Sequence, residues 1–284
     1  MTAIGRALSR ATQQLSATSD TPRLDAELLM AHALGIERDA LLLSRQETAV
    51  PPAFAGLVER RLTGEPVAYI TGKRAFWNIE LEVGPGALVP RPDSETLIAA
   101  AIEHFEGSAG PRRILDLGTG PGTLLLAALD QWPQATGIGV DLSDSALGYA
   151  RRNAKRLGLA ERAFFRRGDW AQGITETFDL VLINPPYVGD GEALGPGVAE
   201  HEPAEALFAG EQGLAEYKRL APQVGRLLAR GGLAAIEIGH SQEDEVRAIL
   251  EAEGLAARLA RDLAGRPRAM LVTGSKENRL EYSR

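Results

Sequence analysis

The chain has 284 residues, 44% hydrophobic and 24% charged, an ordinary globular usage with room for a core domain and a smaller one. It contains no cysteine, which excludes disulfide staples, thiolate metal sites and cysteine nucleophiles and suits a reducing cytoplasm. With 31 Lys and Arg against 38 Asp and Glu the formal charge is −7, the wrong sign for neutralising duplex phosphates, so direct nucleic-acid binding is not expected.

The opening stretch, MTAIGRALSRATQQLS, is amphipathic and has no secretory apolar region. No run approaches the roughly 20 apolar residues of a membrane span, so a soluble, cytoplasmic protein without a membrane partner is expected. His32, His104, His201 and His240 lack metal-ligand spacing, and no metal site is expected. Ile4, Leu8, Ala11 and Leu15 share one helical face. Asp20 and Pro22 signal a second helix, with Leu24, Leu28 and Ala31 as its apolar stripe and Gly35 as its stop. Phe54, Leu57, Val58 and Leu62 repeat the pattern before Gly64, which makes residues 1–72 a helical domain without a catalytic constellation.

After Pro66, VAYITGKRAFWNIELEV is rich in strand formers and predicts a hairpin with Gly72 and Lys73 between its two runs. GPGALVPRPDSET follows as a Pro- and Gly-dense connector, and 73–95 reads as a β-hairpin linker. Over 96–284 strands and helices alternate. RRILDLG, ATGIGVD, RAFFRRGDW, FDLVLINPPY and GGLAAIEIG read as strands, with TLLLAALDQW and SDSALGYARRNAKRLG as helices after the first two and further helices after the last two. LAARLARDLAGRPRAMLVTG predicts two final strands about a Gly-Arg-Pro turn, and the last ten residues form a polar tail. Such alternation implies an α/β fold with a doubly wound, mostly parallel sheet.

Two segments carry chemistry. Asp116-Leu117-Gly118-Thr119-Gly120-Pro121-Gly122 joins the first strand of this region to its helix, where glycines let the backbone turn sharply and approach a ligand. Asp141 ends the next strand, where a carboxylate can accept from ribose hydroxyls. Dinucleotide sites use G-x-G-x-x-G to present amides to pyrophosphate. Here the spacing is G-x-G-x-G and Pro121 removes a donor, which fits S-adenosyl-L-methionine, a nucleoside without phosphate. Asp169 and Trp170 end the third strand, an acid for the adenine amino group and an aromatic for the base; plain core packing of Trp170 stands equally beside that reading. Asn184-Pro185-Pro186-Tyr187 ends the fourth strand as a stiff arch. A planar NH2 has two N–H donors and a delocalised lone pair. The Asn184 side-chain oxygen and the Pro185 carbonyl are suited to accept both hydrogens, with the Tyr187 ring packed on the flat group. No base is needed, because the methylated cationic nitrogen sheds its proton to water.

On DAELLMAHALG, GEPVAYITG, PRPDSE, DLGTGPG, GDW, NPPY and HEPAEALFAGEQGL, the chain resembles the HemK/PrmC family of peptide chain release factor glutamine methyltransferases over nearly its whole length. The resemblance implies a Rossmann-like class I S-adenosylmethionine-dependent methyltransferase domain behind a small helical one. It implies methylation of the Gly-Gly-Gln glutamine of class-1 release factors, with S-adenosyl-L-homocysteine as product. Carried over by residue, Gly118, Thr119, Gly120, Pro121, Gly122, Asp141, Trp170 and Asn184 would contact the cofactor. Asn184, Pro185, Pro186 and Tyr187 would line the glutamine pocket, with Asn184 and Tyr187 catalytic. The chain departs from the family pattern at Pro121, where a second Thr is common, and at Asp93-Ser94-Glu95, where Glu-Thr-Glu is common. Arg91 and Glu95 read equally as closing the cofactor site and as a solvated turn; His201-Glu202 reads as structural. The alternative substrates are rRNA or DNA amino groups, or a ribosomal-protein glutamine, for an NPPY methyltransferase, and a dinucleotide oxidoreductase is the rival on the same architecture.

Overall fold

A computed structural model describes residues 2–43, 49–210 and 212–274; the polar tail lies outside them. The chain divides into two compact units, one formed by 1–73 with 83–85 and 193–203, the other by 74–82, 86–192 and 204–284.

In the first unit, α1 (Ala3–Leu15), α2 (Pro22–Leu34), α3 (Arg38–Leu43), α4 (Ala53–Leu62) and α5 (Val67–Thr71) bury a core of Leu8, Leu15, Leu29, Met30, Phe54, Val58 and Ile70. Thr2 caps α1 by accepting from the Gly5 N–H at 3.1 Å, and Gly35 ends α2 with φ 66°. The stripe expected on α2 is displaced: Leu24 is 38% exposed, while Ala26, Leu29 and Met30 are fully buried. The buried face also takes in Asp25 and Glu27, which a hydropathy pattern discards. Each is paired, Asp25 with Arg61 at 2.8 Å and Glu27 with Arg23 and Arg38. The short helix α9 (Val198–His201) belongs to this unit too. A Cβ on Gly197 would lie 1.9 Å from the Gly64 carbonyl oxygen, so only glycine fits there.

The hairpin is real, but its turn is not at Gly72. Residues 67–71 form α5 behind Pro66, and Gly72 (φ 74°) is that helix's left-handed cap. The strands are β1 (Lys73–Phe76) and β2 (Ile79–Glu82), with Trp77 at φ 53° between them. In the second unit the Pro-rich connector closes with a 3-10 turn over residues 92–94. It runs directly into α6 (Glu95–Phe105), a helix that sequence reading leaves unassigned.

Then β3 (Arg113–Leu117), α7 (Thr123–Gln131), β4 (Thr136–Asp141), α8 (Asp144–Arg156), β5 (Ala163–Arg167), β6 (Phe178–Ile183), α10 (Ala215–Leu227), β7 (Leu228–Glu237), α11 (Glu243–Ala252), β8 (Ala257–Arg261) and β9 (Pro267–Thr273) follow. The sheet order is β5-β4-β3-β6-β7-β9-β8. The first five of these strands run parallel, and β9 is antiparallel to both β7 and β8. The central strands are buried on both faces, which is why RILDL and FDLVLI read as near-continuous apolar runs.

Candidate active site

The strand order reverses between β3 and β6: the chain passes from β3 to β4 on one side, and later returns to β6 on the other. In open α/β sheets ligands bind at the carboxyl ends of strands at such a point. The 118–122 loop follows β3, Asp141 ends β4, Trp170 lies just past β5, and Asn184 follows β6. The structure therefore brings the sequence's candidates to one end of one sheet. The loop and the arch meet at Gly118. With φ 72° and a would-be Cβ at 3.2 Å from the Trp170 ring and 3.5 Å from the Asn184 carbonyl oxygen, any larger residue here would be strained and crowded.

Every N–H of the loop has a partner inside the protein. Gly118 and Thr119 donate to the Val140 carbonyl at 2.9 and 3.0 Å, and Gly122 donates to the Thr119 carbonyl at 2.9 Å. Gly120 donates to Asp141 Oδ2 at 2.8 Å, and Pro121 has no N–H. Asp141 also accepts from the Ser143 N–H at 2.8 Å and from the Leu142 N–H, so its carboxylate is held by backbone. Burial pushes its pKa up. Asp116 braces the loop from below, its Oδ2 accepting from the Thr119 hydroxyl at 2.6 Å and the Leu125 N–H at 3.1 Å. Its Oδ1 is buried without a partner among the described residues, and burial pushes the carboxyl up to about 7. Asn153 on α8, fully buried, joins the loop to the hairpin: Nδ2 donates to the carbonyls of Pro121 (2.9 Å) and Glu82 (3.0 Å), and Oδ1 accepts from the Glu82 N–H at 2.7 Å.

Trp170 adopts φ 48°, and its Nε1 donates to Glu216 at 2.7 Å. Arg219 ties the same Glu216 to Asp169, whose two oxygens both accept from Arg219 Nη2. The acid offered by sequence to an adenine amino group is thus already engaged by an arginine. Glu95 is not a solvated turn residue: its Oε1 accepts from the Trp77 N–H at 2.9 Å and fixes the hairpin's turn to the start of α6. His201 belongs to the helical unit, where its Nε2 meets the Thr63 carbonyl at 3.4 Å.

Asn184 is half-buried, and its Nδ2 donates to Ser94 Oγ at 3.2 Å. Pro185 is buried. The Tyr187 hydroxyl donates to Glu237 Oε1 at 3.2 Å, and its carbonyl accepts from Gln242 at 3.0 Å. Burial pushes the phenol well above its ordinary value, so Tyr187 is a neutral donor rather than a base. Glu237, at the end of β7 and fully buried, is pushed up to about 7 by the same cause. Sequence reading missed Asp116, Asn153, Ser94 and Glu237 as site residues; only Asp116, at the head of the glycine loop, carried a local signal.

A family model for the PrmC N-terminal domain matches residues 6–72, and one for a methyltransferase domain matches 111–258. The release factor glutamine methyltransferase of Rhodospirillum rubrum is 43% identical, covering 95% of this chain and 84% of that protein. Its namesake from Caulobacter vibrioides is 40% identical over 89% of both chains. A methyltransferase structure from Pyrococcus furiosus superposes with TM-score 0.54 at 18% identity, covering 78% of this chain and 100% of that one, a likeness of fold.

Proposed function

This chain belongs to the release factor glutamine methyltransferase family, and we propose that it methylates the side-chain amide nitrogen of the Gly-Gly-Gln glutamine in class-1 peptide chain release factors, using S-adenosyl-L-methionine. The observation that carries the substrate chemistry is Asn184, emerging from the β6 end at the strand-order reversal beside the glycine loop.

The residues fit the cofactor by their donor and charge sets. With all loop amides engaged, the site offers no cradle to pyrophosphate, whereas the Asp141 carboxylate suits a ligand with ribose hydroxyls and positive charge. Gly118, Thr119, Gly120, Pro121, Gly122, Asp141, Trp170 and Asn184 would hold it, Asp141 through the ribose hydroxyls. The bound cofactor supplies an already activated methyl group.

The chain's own work is orientation. Asn184 Oδ1 and the Pro185 carbonyl accept the two amide hydrogens of the substrate glutamine and draw its lone pair out of conjugation. Pro185 and Pro186 stiffen the arch, and Tyr187 covers the flat amide. The proton leaves to water, consistent with a tetrapeptide whose one ionisable side chain is a neutral phenol. A cytoplasmic setting follows from that substrate.

The test is transfer of labelled methyl to a class-1 release factor, with and without its Gly-Gly-Gln glutamine replaced. Label confined to the intact factor is expected, and label in rRNA with the factor untouched would overturn the assignment. Asn184→Ala should reduce turnover by on the order of 10²-fold with the fold retained.

A further inference from the structure

Ser94 sits in the 3-10 turn ahead of α6 and is only 2% exposed, yet it carries a hydroxyl between two polar groups. Asn184 Nδ2 donates to its Oγ at 3.2 Å, and the hydroxyl lies beside the Glu237 carboxyl, whose charged form it favours. Glu237 also accepts from the Tyr187 hydroxyl at 3.2 Å, while its backbone carbonyl accepts from Tyr217 at 3.0 Å. Both polar side chains of the Asn-Pro-Pro-Tyr arch therefore lead to one buried acid, Asn184 through Ser94 and Tyr187 directly.

A hydroxyl has a single hydrogen. Above about pH 7, where Glu237 is ionised and can only accept, that hydrogen goes to the carboxylate and leaves Ser94 Oγ able only to accept from Asn184. The side of the Asn184 amide that faces Ser94 must then be its NH2, and Oδ1 is turned away from it. The reverse rotamer would set donor against donor at a substrate NH2, and would leave Ser94 Oγ facing a second oxygen acceptor with no hydrogen to share.

We propose that Ser94 and Glu237 are positioning residues for the transfer: Glu237 takes the Ser94 hydrogen, and Ser94 thereby locks the Asn184 amide with its oxygen, not its NH2, toward the substrate nitrogen. This rests on the reading that Asn184 accepts from the glutamine amide. Neither residue touches the reacting atoms.

The experiment compares Ser94→Ala, Ser94→Thr and Asn184→Ala in the full chain. At pH 8, where Glu237 is ionised, it measures kcat and KM for the release factor and the S-adenosyl-L-methionine Kd by calorimetry. Ser94→Ala should lower kcat about ten-fold with KM and Kd within about two-fold, and Ser94→Thr should restore kcat. An unchanged kcat in Ser94→Ala, a loss seen only in KM or Kd, or a loss that threonine does not rescue would overturn the lock. Should alanine not fold, Ser94→Thr against Ser94→Val tests the same hydroxyl at matched shape, with the same outcomes. Near-normal turnover in Asn184→Ala would sink the underlying reading, whereas an inactive Asn184→Ala beside a fully active Ser94→Ala would sink only the lock.

Discussion

Asn153 offers a sharp test of how the glycine loop is held. Its side chain makes three bonds in a fully buried place, two to the hairpin at Glu82 and one to the Pro121 carbonyl. Asn153→Ala removes all three and strands the Glu82 N–H and the Pro121 carbonyl. At about 1 kcal/mol net per bond the loss is about 3 kcal/mol. For a domain of this size that corresponds to a fall in Tm of about 6–12 °C, measurable by calorimetry. Because one bond ends on the loop, the affinity for S-adenosyl-L-methionine should fall as well. Asn153→Asp has nearly the same shape and keeps the acceptor for Glu82, but faces two carbonyls with no donor. At pH 8 it should be at least as damaging as alanine, and it should recover at acid pH, where a protonated carboxyl can donate one bond. An Asn153→Ala variant melting within about 2 °C of the parent would refute the reasoning.

Other outcomes follow from the same contacts. Asp141→Ala should weaken cofactor binding more than it slows transfer at saturation, and an unchanged dissociation constant would contradict the ribose contact. Asp116 and Glu237 are protonated in the folded chain up to about pH 7, but in the unfolded chain only up to their ordinary values of 3.8 and 4.5. Between these limits the folded state holds the extra protons, so stability should fall as pH rises from about 4 to about 7. Glu237→Gln should flatten that slope in melts across the range, and a slope left untouched would argue against the buried acid as its source. Asp25→Ala leaves the Arg61 guanidinium with backbone carbonyls but no carboxylate, and should destabilise the N-terminal unit by about 3 kcal/mol, read as lost amide protection in α2 and α4.

Local pattern made much of this fold legible. The face of α1, the cap at Gly35, the central strands and the final hairpin all follow from periodicity and glycine placement. Errors arose where tertiary contacts overrode local preference. VAYIT has a strand's composition but is a helix, with Tyr69 and Ile70 buried. Asp25 and Glu27 look like surface residues until their arginines, in Asp25's case 36 positions away, are seen. The motif residues of the candidate site were readable because glycine and proline constrain the backbone wherever they stand. Its supports were not: Ser94 meets Asn184 across 90 residues, Asn153 meets Glu82 across 71, and Tyr187 meets Glu237 across 50. No window on the sequence contains both halves of such a contact.

The engaged amides of the 118–122 loop bear on life in a crowded cell. Adenine and ribose are shared by S-adenosyl-L-methionine, ATP and NAD, so a pocket that read only those parts would fill with the commoner nucleotides. Discrimination has to come from the end of the ligand where they differ. A loop whose N–H groups are all engaged within the protein, beside the Asp141 carboxyl, gives a polyphosphate no free donor to bind. If the loop holds S-adenosyl-L-methionine as proposed, the same hydrogen bonds that shape the turn would also make it a filter against the cell's most abundant adenine compounds.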